Sequence, residues 1–378
     1  MKIIADENIP CVQQAFASLG EVSLLPGREL QAEQVRDADI LLVRSVTRVD
    51  AALLEGSSVR FVGSATIGFD HVDRDYLQPR GIGFATAPGS NATSAAEYVV
   101  SALMVLSERQ GFELAGKTVG IIGCGNVGSR VRQKLSALGM QCRVNDPPLQ
   151  AGGDHDDFVS LDEVLQADIV TVHVPLTKTG RYPTFHLVNE TFLERLKPGA
   201  IFINTSRGAV ADNRALETLL ASRNDLSVVL DVWEDEPSIS TSLLRQVDLG
   251  TPHIAGYSYD GKLRGTEMVY RAASDYFAQP VVWHAADELP RVATIDRRSR
   301  ETGNALVSAI VLGAYDVRQD DARLRATLAL PAAERASAFD RLRKDYPVRR
   351  EFTESTVLLD EPAGAAGKLL SGLGFAVK

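Results

Sequence analysis

The chain has 378 residues, 45% of them hydrophobic and 24% charged, with a formal net charge of −9. At ~100–200 residues per domain this length predicts two or three domains with ample core. The balance excludes a disordered, collagenous or coiled-coil chain, and a net-acidic surface is a poor general binder of nucleic acid or anionic membrane. No apolar run is long enough to span a bilayer, and Asp6 and Glu7 argue against a leading signal peptide. Cys11, Cys124 and Cys142 lie far apart with no CxxC, which is neither a disulfide framework nor a zinc knuckle and suits a reducing cytoplasm.

In chain order, short Val- and Ile-rich runs recur at Ile3–Ile4, Val22–Leu25, Ile40–Val43 and Val59–Val62, separated by stretches of helical spacing such as Cys11–Leu19. Alternating strands and helices predict a parallel sheet covered on both faces. This series ends near Pro88. Asn91, Thr93 and Ser94 then open a long helix that Ala95 to Glu108 continue. A second series follows at Thr118–Gly123, Gln141–Asp146, Ile169–Val174, Ala200–Asn204 and Val228–Val232, and the chain returns through a helix near Gly261–Phe277. After about Ala285 the alternation stops; Ala-rich helical stretches (Asn304–Tyr315, Ala332–Arg343) and one strand (Thr356–Leu359) predict a separate third unit.

Gly123-Cys-Gly125-Asn126-Val127-Gly128 is a GxGxxG between an apolar strand and a helix, the context that motif requires. The first glycine permits the turn, the second lets backbone approach a pyrophosphate, and the third lets helix and strand pack closely. The helix N-terminus offers its amides to the phosphates. Asp146 follows Gly128 by 18 residues at the end of the next strand, where a carboxylate bonds ribose hydroxyls and repels a 2′-phosphate. No Arg follows it, so NAD is expected rather than NADP.

Three later segments end strands of the same series: Asn204-Thr205-Ser206-Arg207-Gly208, Asp231 through Glu236-Pro237, and Thr251-Pro-His253 through Gly256-Tyr257. Carboxyl ends of parallel strands face one crevice, so all three are expected beside the nicotinamide. Oxidation of an alcohol needs a base for the hydroxyl proton as hydride leaves carbon. His253 suits that task, Glu236 would orient and charge-balance its ring, and Arg207 offers a planar fork for a substrate carboxylate. His71 and His173 read as structural. His155, His186 and His284 give no constellation, and no pair has metal-ligand spacing, so no metal is expected.

These motifs, with Gly63 to Asp73 and His173-Val-Pro-Leu-Thr177, resemble the D-isomer-specific 2-hydroxyacid dehydrogenases over roughly residues 40–277. The resemblance implies the catalytic set Arg207, Glu236 and His253. It also implies NAD contacts by Gly123, Gly125, Asn126, Val127, Gly128, Asp146, Thr205, Ser206, Arg207, Asp231 and Gly256. The implied fold is α/β, with two Rossmann-like or flavodoxin-like parallel-sheet domains around a cleft and a smaller α+β C-terminal unit. Residues 1–90 with 256–285 would bind substrate, 91–255 would bind NAD, and 286–378 would form the third unit. Val43-Arg44-Ser45-Val46-Thr47, Ala65-Thr66-Ile67-Gly68, Asn145 to Pro148, the stretch Tyr182 to Leu187 and the C-terminal extension set the chain apart within the family. They imply a small phosphorylated 2-hydroxy acid held by Ser45, Thr66 and Tyr257.

Arg44 is the first candidate for the phosphate, with Arg349 or Arg350 from a partner subunit as alternatives. Many family members carry a dimer arm before the GxGxxG, whereas here Arg109 leads almost at once to Gly116-Lys117. A homodimer through residues 286–378 is therefore expected, the alternative being an intramolecular lid. Two other functions stay open: a sister dehydrogenase acting on 3-phosphoglycerate or glyoxylate, and an NAD-sensing binding protein.

Overall fold

The computed structural model describes residues 1–153, 157–290, 293–298 and 303–378. The chain divides into two compact units, one of Met1–Asn91 with Ser258–Arg291 and one of Ala92–Tyr257 with Val292–Lys378.

The first unit is built on β1 (Lys2–Asp6), β2 (Glu21–Leu25), β3 (Ile40–Val43), β4 (Phe61–Ser64) and β5 (Gly83–Ala85). All pairs are parallel, in the order β2-β1-β3-β4-β5. β3 and β4 are buried along their whole length, which is why they read as continuous apolar runs. One face carries Val12, Phe16 and the returning helix Tyr259–Tyr276, whose Leu263, Val269 and Tyr270 close the core. The other is covered by Val35, Leu53, Leu54 and Leu77.

The second unit holds β6 (Thr118–Ile122), β7 (Gln141–Asn145), β8 (Ile169–Val172), β9 (Ile201–Asn204), β10 (Ser227–Leu230) and β11 (Leu249–Gly250). Their order is β11-β10-β9-β8-β6-β7, again all parallel. From β6 the chain moves outward to β7 and then returns to β8 on the other side. The switch point therefore lies between β6 and β8, where doubly wound sheets bind their ligands.

The C-terminal segment differs from its expectation in its strands. It continues the βα rhythm: β12 (Ala293–Asp296), β13 (Ser355–Leu358) and β14 (Ala376–Val377) form a three-stranded sheet, parallel throughout, with helices between the strands. β12 and β14 are short and largely exposed, so they lack the apolar runs that betray a buried strand. The apolar residues of the segment also pack outside it. Leu306, Val307, Ile310, Val311, Phe352, Leu370 and Leu373 join the cluster of Val99, Leu103, Leu106, Val131 and Leu135. That cluster lines the helices Ala92–Gln110 and Asn126–Ala137.

Buried charge pins this junction. Glu97, fully buried, accepts the Phe352 amide at 2.9 Å and lies 3.5 Å from Lys134 and 3.9 Å from Arg349. Burial pushes the Glu97 carboxyl up to about 7, against the pull of Lys134 and Arg349.

Candidate active site

At the carboxyl end of β6 the glycines behave as the motif requires. Gly123 has φ 88°, and a Cβ there would meet the His173 carbonyl oxygen at 2.6 Å. A Cβ on Gly128 would lie 1.9 Å from the Gly123 carbonyl oxygen, so only glycine lets the helix Asn126–Ala137 start this close to its strand. Gly125 is the opposite case: nothing lies within 4 Å of a Cβ there. That open space, beside a helix whose N-cap residue supplies no side-chain acceptor, fits a pyrophosphate. Asn126 and Val127 form the first turn.

The Asp146 carboxylate accepts the Cys124 amide at 2.8 Å and the Leu149 amide at 3.1 Å, tying the glycine loop to the end of β7. A carboxylate offers about four acceptor positions, which leaves capacity for ribose hydroxyls.

The catalytic candidates follow β9, β10 and β11, three neighbouring strands. Arg207 is half-buried in a tight turn after β9. Buried Asn204 shapes that turn: its Oδ1 accepts the Ser206 amide and hydroxyl, and its Nδ2 donates to the Arg207 carbonyl at 3.1 Å. Thr205 faces His173 across 3.3 Å. Gly208 then brings this turn against the β10 loop, since a Cβ there would sit 1.9 Å from the Trp233 carbonyl oxygen.

Glu236 Oε2 lies 2.7 Å from His253 Nδ1, and its Oε1 accepts the Trp233 amide at 2.8 Å. Burial alone would raise the Glu236 carboxyl. His253, Arg343 and the Trp233 amide outweigh it and hold the group below the usual carboxylate range. It is therefore an anion at neutral pH, as an orienting partner must be. With Nδ1–H donating to Glu236, His253 Nε2 carries the lone pair.

His253 itself has φ 57°, a left-handed conformation uncommon for a side-chain-bearing residue. Asp231 holds it there. The His253 amide donates to the Asp231 carbonyl at 2.7 Å, while the buried Asp231 carboxylate accepts the Thr251 hydroxyl at 2.6 Å and the Ile254 and Ala255 amides at 2.7 and 2.9 Å. Burial pushes this carboxyl up despite those bonds. The Tyr98 hydroxyl meets Thr251 at 2.8 Å, and the Trp233 indole donates to the Thr251 carbonyl at 2.9 Å. Asn204, Trp233 and Thr251 were not singled out from sequence; a buried Asn or Trp signals its role only through partners distant in the chain. Gly256 and Tyr257 complete the His253 loop, and Tyr257 packs edge-on against Tyr346 at 5.6 Å.

Arg44 and Ser45 follow β3 and Thr66 follows β4, the neighbouring strand. Arg44 is half-buried and Ser45 exposed. Thr66 Oγ1 meets Ser64 Oγ at 2.8 Å, which in turn meets His71 Nε2 at 3.0 Å, so His71 braces this loop.

His173 bridges Thr171 and Thr205, and burial lowers its pKa to about 3, so the ring is neutral. His186 corrects its expectation: Nε2 lies 2.7 Å from Glu234 and Nδ1 3.7 Å from Asp212. Among the described residues these three are the one group with metal-ligand types in reach. The carboxylates sit on separate ring nitrogens, however, and both also bind backbone amides of the helix Asn213–Leu220. The arrangement is a bridge between loops rather than a cradle. His284 pairs with Glu267, and His155 lies outside the described residues. Arg349 is buried within its own chain, donating to Ala255 and Ser94 carbonyls at 3.2 and 2.7 Å, and Arg350 pairs with Glu354. Neither is a cation reaching out to a partner's substrate.

Residues 90–255 match the family model described as D-isomer specific 2-hydroxyacid dehydrogenase, NAD binding domain, and residues 289–374 match a domain of unknown function. The chain is 50% identical to the erythronate-4-phosphate dehydrogenase of Hahella chejuensis, with 99% of each chain covered. It is equally similar to that of Proteus mirabilis, again over 99% of each. Among solved structures, an NAD-dependent formate dehydrogenase from Staphylococcus aureus in complex with NAD superposes with a TM-score of 0.62 at 26% identity, covering 74% of this chain and 97% of that one. A cofactor (NAD+)-bound 3-phosphoglycerate dehydrogenase from Entamoeba histolytica gives 0.64 at 24% identity, covering 74% and 95%, and shares the fold.

Proposed function

The chain belongs to the erythronate-4-phosphate dehydrogenases, a branch of the D-isomer-specific 2-hydroxyacid dehydrogenases, and we propose that it oxidises 4-phospho-D-erythronate to 2-oxo-3-hydroxy-4-phosphobutanoate with NAD. The reading carries with it a place in pyridoxal 5′-phosphate (vitamin B6) biosynthesis. The observation that supports it most is the His253–Glu236 pair at 2.7 Å, on loops adjoining Arg207 in a sheet whose switch point fits a dinucleotide.

When bound, NAD supplies the acceptor for hydride, at the glycine loop and Asp146. His253 Nε2 takes the proton of the C2 hydroxyl. As the proton goes to His253, the C2 oxygen becomes a carbonyl oxygen, the hydride leaving for the acceptor that NAD would supply there. Glu236 balances the imidazolium that results, a stabilisation greater in the transition state than in the ground state. Arg207 holds the C1 carboxylate and the oxygen on C2. Ser45, Thr66 and Tyr257 are substrate contacts on this reading, and Asp231 serves the cofactor side by holding the His253 loop.

NADH formation with 4-phospho-D-erythronate, beside 3-phosphoglycerate, D-glycerate and D-lactate, tests the assignment, with 2-oxo acids added in one run to reoxidise bound NADH. Selective turnover of the phosphoerythronate is expected. Preference for another acid would make the protein a sister enzyme, and no turnover at all would favour the NAD-sensing reading.

We also propose a homodimer through residues 286–378. The apolar helical faces of that segment are covered within the unit, so they no longer argue for it. Support comes from β12, an outer strand that is exposed along most of its length and leaves one edge for pairing. Size-exclusion chromatography with light scattering should give twice the chain mass; a monomer at micromolar concentration would reject this. No helix among the described residues is long and apolar enough to cross a membrane.

A further inference from the structure

The helix Ala332–Lys344 ends beside the chemical site. Its Arg343 guanidinium lies 5.9 Å from the ring centroid of Tyr257. Tyr346 packs on the same ring, its hydroxyl donating to Asp320 at 2.9 Å, and Arg349 donates to the carbonyl of Ala255. Three residues of the C-terminal segment thus grip the loop that carries His253.

Arg343 is unlike the arginines around it. Arg323 pairs with Asp320 at 2.9 Å, Arg325 with Asp321 at 2.8 Å and Arg350 with Glu354 at 3.2 Å. Arg343 has no carboxylate in ion-pair range among the described residues; its Nε, like that of Arg349, is buried without a hydrogen-bond partner, but Arg349 has Glu97 at 3.9 Å. A half-buried guanidinium left this way costs free energy that an arriving anion would recover. The nearest anionic influence is Glu236, already bound to His253 and Trp233. An anion reaching Arg343 from the substrate side would lie against Tyr257.

We propose that Arg343 recognises the phosphate of the substrate, so that the preference for a phosphorylated over a plain 2-hydroxy acid is set by the C-terminal segment of the same chain. The inference rests on the reading under Proposed function. That substrate has two anionic ends. Arg207 takes the carboxylate next to the reacting carbon, and the far end requires a second cation. An arginine suits it, because its planar fork matches two phosphate oxygens and its charge persists at every working pH.

The experiment compares Arg343→Met, which keeps the stem and removes the charge, with wild type on 4-phospho-D-erythronate and D-erythronate at saturating NAD. The kcat/KM ratio between the two acids should fall by roughly 100-fold, mainly through KM for the phosphorylated acid, the scale of a lost charge-assisted pair. Inhibition of wild type by inorganic phosphate, competitive with substrate, should weaken by ~10-fold or more in the variant. An unchanged ratio overturns the proposal, including the case in which both acids lose equally because Arg343 only positions Tyr257. Should the methionine variant lose NADH binding, Arg343→Lys carries the test: its KM for the phosphorylated acid rises relative to the plain one, and an unchanged ratio again overturns the proposal. Failure of wild type to oxidise phosphoerythronate would instead sink the substrate reading, and phosphate inhibition would still report on Arg343.

Discussion

On the proposed reading, His253 performs one step and depends on several neighbours for it. Its ring is oriented by Glu236 and its backbone by Asp231, both from the loop after β10. His253→Ala should lower kcat by ~100-fold or more while NAD still binds, because the base is lost and the glycine loop is untouched. Titration of NADH fluorescence checks the second half; loss of NAD binding would show that the variant disturbed more than the base. His173 is the contrasting histidine. Its pKa in the folded chain is about 3, below the ordinary 6.5 of an unfolded one. The unfolded state therefore binds the extra proton as pH falls, and this group's contribution is fully present above about 6.5 and lost toward 3. His173→Asn should flatten the fall of Tm across that window, and an unchanged slope would reject a neutral buried ring.

At the scale of elements, each loop is built by one polar residue that satisfies several backbone groups. Asn204 does this after β9, Asp231 after β10, and Asp146 for the glycine loop. The Asp231 carboxylate accepts three bonds, so Asp231→Asn would turn an amide donor toward one of the donors it now accepts. An unmet buried donor costs about 1–3 kcal/mol. The variant should lose several degrees of Tm and at least ~10-fold in kcat, because the strained His253 backbone is held by the same residue. Full activity at reduced Tm would mean that Asp231 supports the fold without positioning the base.

At the scale of the molecule, the C-terminal segment is part of the nucleotide-binding unit's core. A chain ending at residue 290 would bare the side of the helix Ala92–Gln110 that Leu306, Val307, Ile310 and Val311 cover. It would also leave Glu97 and Lys134 without Arg349 and the Phe352 amide. Such a chain should bind apolar dyes and lose cooperative unfolding; a well-folded, NADH-binding truncation would show the segment to be an appendage.

Much of this was legible in the residues. The two parallel sheets announced themselves because strands buried on both faces, such as Ile40–Val43, read as continuous apolar runs. The glycine turn and the His253–Glu236 pair were legible because a tight turn and an oriented histidine each demand particular residue types at particular strand ends. β12 and β14 were not legible, since short exposed strands carry no periodic signal. Nor was the bridge of His186 with Asp212 and Glu234, whose partners come from three separate loops. Sequence alone thus determined the fold class and pointed to the candidate site residues, which depend on local pattern and chemistry. Only the tertiary structure decided where the C-terminal segment packs and which of its arginines is left unpaired beside Tyr257, because burial and charge pairing are settled by residues far apart in the chain.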